Sequence, residues 1–141
     1  MDEITNTALS ERNIALDINT KLAGELTHMS TGVAHLNFTP TEDMRLDNRL
    51  VSSGFIFNSA SFCALSAVNK RNSLVIGADI KFLAPIELGY TIKFKANALQ
   101  DDTKKIEVQV EGFLLDIKVF YGMFYIAVFD KGIFKLKKGE S

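Results

Sequence analysis

Between Arg49 and Lys70 the chain carries no charge at all, and the segment reads LVSSGFIFNSASFCALSAVN. A run this apolar has to be hidden from water, which leaves few ways to fold it. A membrane span wants about 20 predominantly apolar residues. Ser52, Ser53, Ser59, Ser61, Ser66 and Asn58 make the segment a poor one. The run predicts one helix buried on nearly every side within a folded domain. Ser52 or Ser53 is placed to cap its first turn with a hydroxyl oxygen. The helix is expected to end near Asn69, where Lys70 and Arg71 suit the negative end of its dipole.

Beyond the helix the chain alternates with period two, the signature of strands that are apolar on one face. Ile76, Ala78, Ile80 and Phe82 are expected to face one way, with Gly77, Asp79 and Lys81 opposite. Pro85 closes that strand, and Leu88-Gly89-Tyr90 reads as a turn. Ile92, Phe94, Ala96 and Ala98 define the inner face of the next strand. A polar turn over Gln100 to Lys105 leads to Ile106, Val108 and Val110. The last strand, about Ile117 to Phe129, is apolar on both faces, so it is expected either to lie centrally or to meet a partner subunit. Before the helix, the stretch from Thr27 to Phe38 carries a strand pattern, with Val33, His35 and Asn37 alternating with Ala34, Leu36 and Phe38. Pro40 ends it, and TPTEDMRLDNR reads as a loop. Strand, long helix and a run of antiparallel strands make an α+β fold.

Composition bounds the function. The length of 141 residues suits one domain, divided here into a lead-in over 1–20, which could hold a short helix, a domain over 21–135 and a basic tail over 136–141. A net charge of −1 gives no basic field for nucleic acid. Lys135, Lys137 and Lys138 read as a solvated tail. The single cysteine, Cys63, excludes an internal disulfide and reads as a buried, inert thiol. Met1 to Ser10 lacks the basic-then-apolar signature of a signal peptide, so the chain is expected to be cytoplasmic. His28 and His35 read as strand residues with no further ligand at a recognisable spacing, so no metal site is expected.

The segment LVSSGFIFNSASFCALSAVN resembles the helix motif of the thioesterase branch of the hotdog-fold superfamily, roughly V-H-G-G-x-I-F-x-x-A-D-x-A. Gly54, Ile56, Phe57 and Ala60 match it. ADIKFLAPIELGYTIKFKANAL is similar to the family's strand-turn-strand segment at Phe82, Leu83, Pro85 and Gly89, and KVFYGMFYIAVFD to its closing strand. The resemblance spans roughly residues 24–130. It implies an antiparallel sheet wrapped around one long central helix, a homodimer with sheets joined edge to edge or a dimer of dimers, and an acyl-CoA or acyl-carrier ligand. The catalytic positions depart from the pattern. The family histidine falls on Ser52, the glycine beside it on Ser53, the helix carboxylate on Ser61 and the turn aspartate on Tyr90. A serine without a base is a poor nucleophile and a poor general base.

These residues point first to a non-catalytic domain that binds a fatty acyl-CoA or a related thioester, as a sensor. Ser52, Ser53 and Gly54 open the helix, where free amide hydrogens can polarise a thioester carbonyl. Phe55, Asn58, Ser61 and Phe82 complete the candidate ligand site, with Asn58 expected to be a buried amide in need of partners. No catalytic residue is assigned; Asp47, in the loop before the helix, is the runner-up acid. The alternatives are a divergent acyl-CoA thioesterase that uses Asp47, and a purely structural dimeric scaffold. No resident cofactor is expected.

Overall fold

The computed structural model describes residues 11–99 and 104–129. The lead-in up to residue 10, most of the polar turn after Leu99 and the basic tail lie outside the described residues. The uncharged run folds as α2, Ser53–Val68, after a single-turn helix α1, Thr20–Ala23. The strands are β1 (Glu25–Ser30), β2 (Val33–Phe38), β3 (Arg45–Asp47), β4 (Leu50–Val51), β5 (Ser73–Phe82), β6 (Ile92–Ala98), β7 (Lys105–Leu114) and β8 (Ile117–Val128). Six of them form one sheet in the order β1-β2-β6-β7-β8-β5, every pair antiparallel. β3 and β4 make a separate small hairpin.

The helix lies on one face of the sheet, mainly over β2, β6 and β7. Ile56, Ser59, Ala60, Phe62, Cys63, Ala64, Ser66 and Ala67 are buried there. They meet an inner face that includes Leu36, Phe38, Ile92, Phe94, Ala96, Val108, Val110, Phe120, Phe124 and Ile126. Aromatic rings fill the middle of this layer. Phe57 stacks on Phe124 with centroids 5.5 Å apart, and Phe120 meets Phe94 edge-on at 5.7 Å. Gly112 and Gly122 leave the space for these rings. A Cβ at Gly112 would lie 2.9 Å from Cε1 of Phe94, and one at Gly122 only 2.8 Å from Cγ2 of Ile80.

Several local expectations give way. The Thr27–Phe38 stretch is not one strand but most of a hairpin, β1 and β2, turning at Thr31-Gly32. The polar stretch read as a loop holds a single 3-10 turn, Glu42–Met44, and then β3. Arg45 there pairs with Glu42. The period-two pattern of β5 breaks at a bulge between Val75 and Gly77, so Ile76 turns outward and is 49% exposed, out of phase with Ala78 and Ile80. Ser52 is at the N-cap position, but its hydroxyl makes no capping bond; its backbone amide donates instead to the Met44 carbonyl at 2.9 Å. Asn69 ends the helix in the left-handed conformation, φ 52°. Residues 11–19 contain no helix; Ala15 and Ile18 pack against the core, and Arg12 sits 5.3 Å from the Phe62 ring centroid.

The packing decides what an added methyl does at each glycine. Gly112→Ala pushes one into the Phe94 and Phe120 rings and is expected to lower stability by about 1–3 kcal/mol in urea unfolding. Gly54→Ala meets nothing within 4 Å and is expected to gain up to about 1 kcal/mol in the same assay, because alanine loses less entropy in a helix. Cys63 is fully buried, its Sγ 3.4 Å from the Ala34 carbonyl, and burial pushes its thiol well above the usual range. With so little thiolate present, a disulfide reagent at pH 8 is expected to label Cys63 only as the protein unfolds.

Candidate functional site

The start of α2 is held by backbone, not by side-chain caps. The β3–β4 hairpin runs up to it, and the chain leaving β5 passes alongside. Val51 donates to the Ile86 carbonyl at 3.0 Å, and Leu88 donates to that of Arg49 at 2.8 Å. Arg49 also reaches the Leu88 carbonyl at 3.2 Å and Glu87 at 3.5 Å. These bonds pin residues 82–88 against the hairpin and leave a groove of 320 Å³ between them.

Leu46, Leu50 and Val51 form one wall of the groove, and Phe82 through Ile86 form the other. Ser53 and Ile56 of the helix line it as well. The lining is aliphatic and aromatic apart from the Ser53 hydroxyl, and no residue in it is titratable. Phe82 is 43% exposed, with its ring edge-on to Phe120 at 5.6 Å. Phe82 therefore links the wall of the groove to the aromatic layer of the core.

The expected site residues divide. Ser53 and Phe82 line the groove. Ser52 and Phe55 are half-buried beside it and Gly54 is exposed. The Phe55 amide donates to the Ser52 carbonyl at 3.1 Å, so that amide is already engaged. Asn58 is not a buried amide: it is exposed and donates to the Leu22 carbonyl at 3.3 Å, tying α2 to the end of α1. At 100° per residue, Gly54, Asn58 and Ser61 lie roughly 140° around the helix from Ser53 and Ile56. The Ser61 hydroxyl is buried and has no hydrogen-bond partner, and the same holds for Ser59. Asp47 is exposed on β3 and is not among the groove-lining residues.

Leu46, Leu50 and Val51 are walls that sequence reasoning misses, because the short hairpin that carries them has no hydrophobic period to mark it. The meeting of His28 and His35 on the outer face of the sheet is missed as well. Their rings lie 5.1 Å apart across β1 and β2. Burial, then the charges of His28 and Lys95, hold the His35 imidazole below its ordinary range. Among the described residues no group of three or more His, Cys, Asp or Glu gathers as a metal cluster, and no helix is long and apolar enough to cross a membrane.

No protein-family model matches the chain. Among curated proteins, it is 39% identical over 111 residues to the methylthioribose-1-phosphate isomerase of Aquifex aeolicus strain VF5, covering 78% of this chain and 24% of that protein. It is 29% identical over 118 residues to the transcription factor FapR of Thermoanaerobacter sp. strain X514, covering 82% of this chain and 59% of that protein. The chain thus spans about a quarter of the isomerase and under two thirds of FapR. The crystal structure of the HP0420 homologue from Helicobacter felis superposes with a TM-score of 0.83 at 38% identity, covering 85% of this chain and 99% of that one. The long helix, the antiparallel sheet around it and this likeness agree: the chain belongs to the thioesterase-like branch of the hotdog-fold superfamily, in the family of the Helicobacter felis HP0420 homologue.

Proposed function

We propose that this protein binds a fatty acyl thioester such as acyl-CoA without efficiently hydrolysing it, and serves as a ligand-responsive domain. The observation that carries this reading is the groove at the start of α2, walled by apolar side chains with one hydroxyl and no titratable group. An acyl chain suits such walls, since burying apolar surface is worth about 25 cal/mol per Å². Hydrolysis, in contrast, requires a base near the carbonyl, and a missing one costs about 10²–10⁴-fold in rate. The sensor role draws support from FapR, a transcription factor that shares this region.

The reading includes a dimer. β5 is one edge of the sheet, ten residues long, and it exposes Ile76 and Phe82. A free edge of this length invites pairing. Joining β5 to its copy would continue the sheet across two subunits. Asn58 and Ser61 face away from their own groove, so a role for them in ligand contact requires the second subunit.

Acyl-CoA is expected to raise the melting temperature while free thiol appears slowly or not at all. Ala84→Phe, which fills the groove, should weaken binding at least tenfold in a protein that still folds. Full affinity in this variant would place the ligand elsewhere. Rapid thioester turnover that is lost in Asp47→Ala would replace binding with catalysis. In sedimentation equilibrium at micromolar concentration the parent is expected to be dimeric, as interfaces of this obligate kind bury roughly 2,000 Å² or more. Ile76→Lys, which puts a charge on the edge strand, should shift it toward monomer. A parent that is a stable folded monomer would remove the dimer from this reading.

A further inference from the structure

We propose that His28 and His35 form a chelating site for a divalent transition-metal ion, of the Zn²⁺ or Cu²⁺ class, on the outer face of the β1–β2 hairpin, with water completing the coordination. The site lies on the face of the sheet opposite the helix, so it does not depend on the acyl groove.

The backbone brings the two rings together. Thr31-Gly32 makes a two-residue turn, with Gly32 at φ +74°, and this sets the pairs Ser30 with Val33, Met29 with Ala34, and His28 with His35. Residues directly opposite in an antiparallel pair share a face, with Cβ atoms about 4.5–5.5 Å apart. Met29 and Ala34, one step along, point the other way and are buried in the core. That burial anchors the hairpin and fixes which face the imidazoles occupy.

The ring separation falls within the range that a shared metal allows. Imidazole nitrogen binds such ions at about 2.0–2.1 Å, which puts each ring centroid roughly 3.2 Å from the metal. For a nitrogen–metal–nitrogen angle between roughly 90° and 110°, two centroids then lie about 4.5–5.3 Å apart. The observed separation is 5.1 Å, with the ring planes tilted by 40°. Nε2 of His28 lies 3.1 Å from the Ser30 hydroxyl. A ligating histidine is commonly oriented by such a bond from its other nitrogen. When Ser30 accepts from Nε2–H, Nδ1 of His28 carries the lone pair that binds metal.

Lys95 pairs with His35 across β2 and β6, and its charge opposes a cation there. Its ammonium lies 5.6 Å from the Phe113 ring centroid, drawn toward β7 and so away from β2. Two protein ligands make an exchangeable site of modest affinity, and imidazole selects zinc, copper and nickel over magnesium or calcium.

The test uses the untagged full chain, stripped with a chelator and titrated with Zn²⁺ in a calorimeter. One ion per chain in the micromolar range is expected. His28→Ala and His35→Ala should each weaken binding at least tenfold, with far-ultraviolet circular dichroism unchanged. Lys95→Ala should tighten it, an effect that a merely structural lysine would not produce. With Cu²⁺, electron paramagnetic resonance should show two coordinated nitrogens in the parent and one in either variant. Absence of saturable Zn²⁺ binding, or binding that survives in the His28→Ala/His35→Ala double variant, overturns the proposal.

Discussion

The structure depends on one constraint: α2 carries no charge and almost no polar side that can be left wet. An ordinary surface helix needs cover along one stripe. This one buries Ile56, Ala60, Phe62, Cys63, Ala64 and Ala67 together with Ser59 and Ser66. A flat sheet covers one side of a helix only. The sheet has to curl, and residues with no Cβ at Gly112 and Gly122 let Phe94, Phe120 and Phe124 close in beneath the helix. The residues before the helix help from the other side, with Arg12 over Phe62 and Ala15 and Ile18 against the core.

The same constraint produces the groove. A buried helix has to enter its core somewhere, and its first turn leaves backbone amides without intrahelical partners. Here the β3–β4 hairpin and residues 82–86 flank that entry with aliphatic walls. The chain spends its hydrogen bonds on joining these two walls, Val51 to Ile86 and Leu88 to Arg49, and not on capping through Ser52. The gap between the walls is therefore bridged by backbone bonds, lined mainly by apolar side chains and adjacent to a helix terminus. None of the residues that line it is titratable, and Ser52, beside it, stands where the resembled pattern has histidine.

Elements dominated by burial are legible in the sequence. The uncharged run predicts the helix to within a residue or two at each end, and alternation finds β6 and β7, whose Ile92, Phe94, Ala96, Ile106, Val108 and Val110 are all buried. The misses have local causes. Thr31-Gly32 is a weak turn signal inside a continuous strand pattern, so two strands read as one. Arg45 to Asp47 forms a strand in which every residue is exposed, and no hydrophobic period marks such a strand. The bulge at Val75–Gly77 shifts the phase of β5 by one residue, and period-two counting then puts Ile76 on the wrong face. Asn58 is expected inside because it lies in an apolar run. The end of α1 falls beside it, and the Leu22 carbonyl gives the amide a partner at the surface.

Ser59 and Ser61 show where packing within one chain stops explaining the sequence. Both hydroxyls are buried with no hydrogen-bond partner, whereas Ser66 on the same helix donates to the Phe62 carbonyl at 2.8 Å. An orphaned buried hydroxyl costs about 1–3 kcal/mol relative to a satisfied one, so alanine would serve the fold of one chain better at both positions. Ser59 faces the core. Ser61 lies on the stripe with Gly54 and Asn58, turned away from the groove. The helix is covered by its own sheet on one side; on the other, Asn58 is bonded within the chain to the Leu22 carbonyl, whereas the Ser61 hydroxyl is left without a partner.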